Sequence, residues 1–183
     1  FEIFFSFMVL FGVFSMVFYQ FQWIFQPMGF QYESVWNISL DTKQAPEEEA
    51  NTIRALIDQQ LKTYSEIQNF AFSFNNIPFS HSTNTWGLEY GELTTESDVF
   101  RVSDDYVKTF NIPLLEGRDF GPEDDGAQVP PIIITEITRD RLFENESPIG
   151  KTVHGMGSDR PFRIIGVVNN YRYKGDFSGP RPG

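Results

Sequence analysis

Cysteine is absent and histidine occurs only at His81 and His154, which removes most of the side chains that bind transition metals or serve as nucleophile and base. Neither histidine has a second ligand at metal-binding spacing. Glu123-Asp124-Asp125 with Gly126 offers the oxygen ligands that calcium takes, but without the alternating positions of a calcium loop, so a solvated acidic loop is expected there. Glu47-Glu48-Glu49 reads as the first turn of a helix rather than a cation site. Gly155-Met156-Gly157 has the glycines of a phosphate-binding turn, yet no third glycine follows and no helix opens after it, which leaves a hairpin turn. There is no Walker motif for nucleotide hydrolysis and no G-x-S-x-G elbow for acyl transfer. Carboxylates are abundant, and no pair stands apart as acid and base. No catalytic, cofactor-binding or metal-binding residue is therefore expected, and no cofactor. The chain does not read as an enzyme.

The stretch from Ile3 to Phe25 organises the rest. It carries no charge, and among apolar residues only Ser6, Gly12, Ser15, Gln20 and Gln22 interrupt it. About 23 residues at about 1.5 Å each give a helix of about 34 Å, enough to cross a hydrocarbon core of about 30 Å. Phe4, Phe5, Phe7, Met8, Val9, Leu10 and Phe11 would cover every side of it, where a core helix keeps one wet face. A secretory signal would need a basic start, a small-residue cleavage site and a shorter apolar run. The stretch reads as a transmembrane helix, with the lipid bilayer as its partner. Tyr19 and Trp23, with Gln20, Gln22 and Gln26, form an interfacial belt at its exit. Between there and Glu49, Lys43 is the one basic residue against Glu33, Asp41, Glu47, Glu48 and Glu49, so the following domain is expected to face outward. The chain opens on Phe1 rather than methionine and reads as part of a longer protein.

The 183 residues carry 14 Lys plus Arg and 25 Asp plus Glu, a formal charge of -11; Glu2 alone precedes residue 33, which leaves -10 to the remainder. An acidic surface of this kind excludes a nucleic-acid partner. Ten of the 20 Phe lie in the first 30 residues, so the outer part is ordinary in composition and large enough to bury its own core.

Past the break at Gln26-Pro27-Met28-Gly29-Phe30, the alternation of Val35 to Leu40 predicts a strand, and Asp41 to Ala45 a turn. Pro46 to Tyr64 is expected to be a helix with Ala50, Ile53, Ile57, Leu61 and Tyr64 on its buried stripe. Ile67 to Phe74 alternates again, which predicts a strand burying Phe70, Phe72 and Phe74, parallel to the first. Trp86 to Tyr90 and Asp98 to Val102 read as two further strands. Ser103 would cap a short helix from Asp104 to Phe110. Ile132-Ile133-Ile134 reads as a strand buried on both faces, Thr135 as the cap of a helix through Phe143, and Lys151 to His154 and Phe162 to Val168 as a closing pair of strands.

The run from Tyr106 to Phe120, reading YVKTFNIPLLEGRDF, closely resembles the segment of MacB-like periplasmic core domains that usually ends in "GIPLLEGRDF", with Asn111 in place of the common glycine. Three blocks agree in the same order: Ile134-Thr135-Glu136 with Arg139, Leu142 and Phe143; Ser147-Pro148-Ile149-Gly150-Lys151; and Ile164-Ile165-Gly166-Val167-Val168 with Tyr171 and Tyr173. Thr135 stands where asparagine is frequent, and Asn169-Asn170 where lysine and aspartate are. The resemblance implies a permease of the FtsX/MacB type. The fold class it implies is α+β: an N-terminal transmembrane helix and its exit over residues 1–29, then over residues 30–183 a periplasmic mixed α/β domain of two small βαβ-like lobes. It further implies an ABC transporter subunit in the bacterial inner membrane, which transmits ATP-driven conformational change for export or envelope remodelling. Its partners would be a cytoplasmic ABC ATPase, separate or fused, a second permease copy or half, and a periplasmic protein. A membrane-anchored sensor or ligand-binding domain is the alternative. The matched glycines, Gly117 and Gly150, are expected to serve turns rather than ligands.

Overall fold

The longest strand is β6, Pro161–Val168, and the sheet is built on both of its edges. Its sequence PFRIIGVV places apolar side chains alternately up and down, as a strand covered on both faces requires. Along one edge β4 (Pro131–Thr135) runs parallel to it. Along the other, β5 (Thr152–Gly155) pairs antiparallel with its first residues and β3 (Leu114–Gly117) with its last. A hairpin of β1 (Thr85–Tyr90) and β2 (Leu93–Asp98), turned at Gly91, pairs with β5 and extends the sheet to six strands. The helices are α1 (Glu2–Ile24), α2 (Glu47–Leu61), α3 (Tyr106–Thr109) and α4 (Glu136–Phe143). This computed structural model describes residues 1–41, 46–80, 82–144, 146–155 and 160–183.

Two cores result. Beneath α4, Leu142 and Phe143 pack with Leu88, Ile134, Val153, Ile164 and Val167. Met28, Phe30, Tyr106, Val107, Ile112, Val168, Tyr171 and Tyr173 form the second, with Ile133 against it. Ile133 and Ile134 thus point to opposite sides, as pleating demands. Ile164 and Val167 share the α4 core although they are three residues apart, because the register with β4 steps past Ile165. The carbonyl of Ile165 turns outward and accepts from the Arg118 N–H at 3.0 Å. Gly117 lies against it at φ +75°, where a Cβ would come within 2.1 Å of that oxygen, so no other residue fits.

The α+β class behind an N-terminal apolar helix is as the sequence implies, and β4, α4 and β6 form the second βαβ-like unit with parallel strands. The first unit does not form. Val35 to Leu40 pairs with no described strand, and Trp36 and Ile38 are 89% and 76% exposed. Ile67 to Phe74 makes one bridge, Ser73 with Val102, and the expected aromatic face is not buried: Ala71, itself half-buried, packs on the second core, Phe70 and Phe72 are half-buried, and Phe74 is exposed under the Arg54 guanidinium. Alternation fixes two faces without saying which is inside; the neighbours decide.

Other differences are local. The expected helix of residues 46–64 spans Glu47–Leu61, with only Ala50 fully buried. The strand expected over 98–102 is β2, five residues earlier, because Gly91 closes a tight hairpin directly after β1. Ser103 does not cap a helix; its hydroxyl accepts from the Phe72 N–H at 2.9 Å, and α3 is a single turn. Thr135 does not cap α4 with its side chain either. Asn170 supplies the acceptor, its Oδ1 2.9 Å from the Ile137 N–H. Residues 42–45 of the expected turn, His81, and residues 156–159 of the last hairpin turn lie outside the described residues.

Candidate functional site at the base of the domain

α1 ends at Ile24 with no basic residue in its last turn, so nothing on the helix itself offsets the partial negative charge of its terminal carbonyls. The Gln26 N–H bonds back to the Trp23 carbonyl at 3.1 Å, and the chain then passes Pro27 and Met28 into Gly29 at φ +79°. A Cβ at Gly29 would stand 2.5 Å from the Asn170 carbonyl, so glycine lets the exit run directly against Asn170 and Tyr171. The Met28 carbonyl accepts from the Arg172 N–H at 2.8 Å, and Met28 and Phe30 enter the second core.

Arg172 closes this junction. Its side chain is buried at 3% exposure and donates, among the described residues, to backbone carbonyls: Gln26 at 2.5 Å from Nη1, Ser178 at 2.9 Å from Nε, and Asp176 at 2.6 Å and Gly175 at 3.4 Å from Nη2. A guanidinium suits the task because it is weakly hydrated, planar and rich in donors, so one side chain can gather carbonyls from two distant segments. The cation that α1 lacks at its end is thus supplied from 146 residues further along. Gly179 completes the contact, lying so close to the Trp23 indole that a Cβ would be 3.1 Å from it.

From the junction the chain runs on as a strap. Tyr173 donates its phenolic proton to Asp98, the buried last residue of β2, which also accepts from the Thr85 hydroxyl and faces the Arg181 guanidinium at 3.6 Å. Burial, and then the bond to Asp98, hold the Tyr173 phenol well above its ordinary pKa, so it stays a neutral donor. The Pro182 carbonyl accepts from the Asp98 N–H at 2.9 Å, and Gly183 exchanges bonds with Thr135, N to Oγ1 at 3.1 Å and O to N at 2.8 Å. Residues 171–183 therefore tie the end of α1 to the edge of the sheet at β2 and to the start of α4.

The stretches weighed for chemistry do not converge. Arg118 forks onto Asp124 at 2.6 and 2.7 Å, and that bond holds the Asp124 carboxyl below its ordinary pKa; the acidic loop is a structural turn over Pro122–Asp124. His154 is exposed on β5 and Glu47, Glu48 and Glu49 are exposed at the start of α2. Among the described residues no group of three or more His, Cys, Asp or Glu is placed to hold a metal. Sequence reading passed over Arg172 and Asp98. The signal for the first was a cation between two aromatics, Tyr171-Arg172-Tyr173, directly after a buried strand; Asp98 gave none.

The family described as MacB-like periplasmic core domain matches residues 5–181. The macrolide export ATP-binding/permease protein MacB of Aggregatibacter actinomycetemcomitans is 30% identical over 81 residues, covering 44% of this chain and 12% of that protein. The uncharacterized ABC transporter permease YvrN of Bacillus subtilis is 30% identical over 101 residues, 51% of this chain and 24% of its own length. The chain thus spans a quarter or less of these relatives. Among solved structures, the periplasmic region of MacB from Actinobacillus actinomycetemcomitans is similar at 23% identity and a TM-score of 0.48, over 67% of this chain and 58% of that one.

Proposed function

The chain belongs to the MacB-like periplasmic core domain family, and from that premise we propose that it is the segment of an inner-membrane ABC transporter permease in which residues 1–29 cross the membrane and leave it and residues 30–183 stand in the periplasm. In this reading a cytoplasmic ATPase, separate or fused, hydrolyses ATP. A second permease copy or half completes the pair. The periplasmic domain carries the resulting movement outward, for export or for work on the envelope, and does no bond-making chemistry itself.

One observation supports this transmission most directly: Arg172 joins the Gln26 carbonyl, two residues past the end of α1, to the strap that holds the sheet. A membrane helix linked only by a flexible chain would move without moving the domain. With Gln26, Met28 and Trp23 all fixed against residues 171–179, a tilt of α1 displaces the sheet with it.

The test uses the full-length protein in nanodiscs with the ATPase that accompanies it. Nitroxide labels at Glu92→Cys, in the exposed hairpin turn, report the distance between two copies. ATP is expected to change that distance, and Arg172→Gln is expected to abolish the change while hydrolysis continues. Recovery of the intact protein with no ATPase, fused or bound, would refute the reading.

A further inference from the structure

We propose that the loop from Lys174 to Arg181 is a second membrane contact, with Phe177 seated in the headgroup layer of the outer leaflet beside α1. This rests on the reading that α1 crosses the bilayer. Three observations point to the lipid surface as the occupant.

The first is depth. Gly179 lies against Trp23, and the Gln26 carbonyl shares the Arg172 guanidinium with those of Gly175, Asp176 and Ser178. The loop is therefore pinned at the level of the last turn of α1, where Tyr19 and Trp23 make the aromatic belt that marks a bilayer interface.

The second is the presentation of Phe177, which is 65% exposed. The carbonyls on either side of it, from Asp176 and Ser178, are both held by Arg172, so the tip is braced with its ring outward. Phe79 adjoins Gly175 and pairs with Tyr32 at 5.6 Å, and these two rings are 48% and 44% exposed. An interfacial layer accepts such rings, which water does not favour.

The third is charge. Outside α1 the chain is strongly acidic, yet the loop from residue 174 to 181 holds Lys174 and Arg181 against Asp176 alone. Lys174, whose Nζ donates to the Ser80 carbonyl at 3.1 Å, and Arg181 line one open depression with Phe79, Ser80 and Ser178. Cations flanking exposed aromatics match a layer of lipid phosphates.

The chain has no cysteine, so single-cysteine variants of the full-length protein, with any cysteine elsewhere replaced, each carry one nitroxide. Three are reconstituted in liposomes of phosphatidylethanolamine and phosphatidylglycerol: Phe177→Cys, Val13→Cys in the middle of α1, and Glu92→Cys. Collision rates with oxygen, which concentrates in lipid, and with a nickel chelate, which stays in water, are read by power-saturation EPR. The oxygen-to-nickel ratio at 177 is expected to be several-fold above that at 92 and below that at 13. A ratio at 177 equal to that at 92, with 13 high, overturns the loop contact while leaving the span intact, and makes a protein partner the occupant to seek. Equal ratios at 13 and 92 overturn the span and the loop contact together.

Discussion

At Asn111 the backbone takes φ +46°, in the left-handed region that most side chains avoid, and asparagine is among the few residues other than glycine that enter it readily. That is the physical sense of an asparagine standing where similar domains commonly carry glycine. Close by, the hydroxyls of Tyr106 and Thr109 are buried with no hydrogen-bond partner among the described residues. Burial, and then the neighbouring Tyr171, hold the Tyr106 phenol far above its ordinary pKa. Replacing it with phenylalanine removes an unsatisfied group and is expected to stabilise the domain by about 1 kcal/mol in urea denaturation; a loss of that size would show a bonded hydroxyl. Tyr106, Tyr171 and Tyr173 are all raised in the fold above the ordinary 10.0, so the stability they contribute is complete below pH 10 and is lost as the unfolded chain ionises above it. Tyr106→Phe should flatten that alkaline loss.

At the scale of elements, what was legible was what local residues decide. The apolar run of α1, the three isoleucines at the centre of β4 and the pairing of β5 with β6 follow from period and burial alone. Where a distant partner decides, the sequence was silent. Asn170 caps α4 from 33 residues away, and Arg172 reaches back to Gln26. The segment from Ile67 to Phe74 is the instructive case, since its alternation predicts a strand with one buried face, and the fold gives it a single bridge and no fully buried residue. The bridge of Ser73 to Val102 and the bond from the Ser103 N–H to the Phe72 carbonyl hold the segment so that Ala71 packs against the second core. A charge at Ala71 would therefore be pressed against apolar side chains of that core, whereas one at Phe72, which does not pack on it, can turn toward solvent. Ala71→Asp is expected to cost about 2–4 kcal/mol by thermal denaturation, and Phe72→Asp clearly less. The reverse order would restore the aromatic face to the inside.

For the whole molecule, the question is where the outer domain begins. Division at residue 30 follows the end of the apolar run, but the fold reaches further back. Met28 is buried in the second core, its carbonyl accepts from the Arg172 N–H, and the Gln26 carbonyl takes one arm of the Arg172 guanidinium. A chain starting at Phe30 would leave that buried cation short of an acceptor and open a gap where the Met28 side chain lies. Burying a methionine contributes about 1.5–3 kcal/mol, and each bond to a charged donor about 1.5–3 kcal/mol. The chain from Gln26 to Gly183 is therefore expected to be more stable than that from Phe30 to Gly183 by at least about 3 kcal/mol, read as a shift in the urea midpoint at unchanged slope. Arg172→Met should shrink the difference, because a side chain without donors gains nothing from the Gln26 carbonyl. Equal midpoints for the two chains would mean that the exit of α1 is not part of the folded unit, and would remove the rigid joint on which the proposed transmission from membrane to sheet depends.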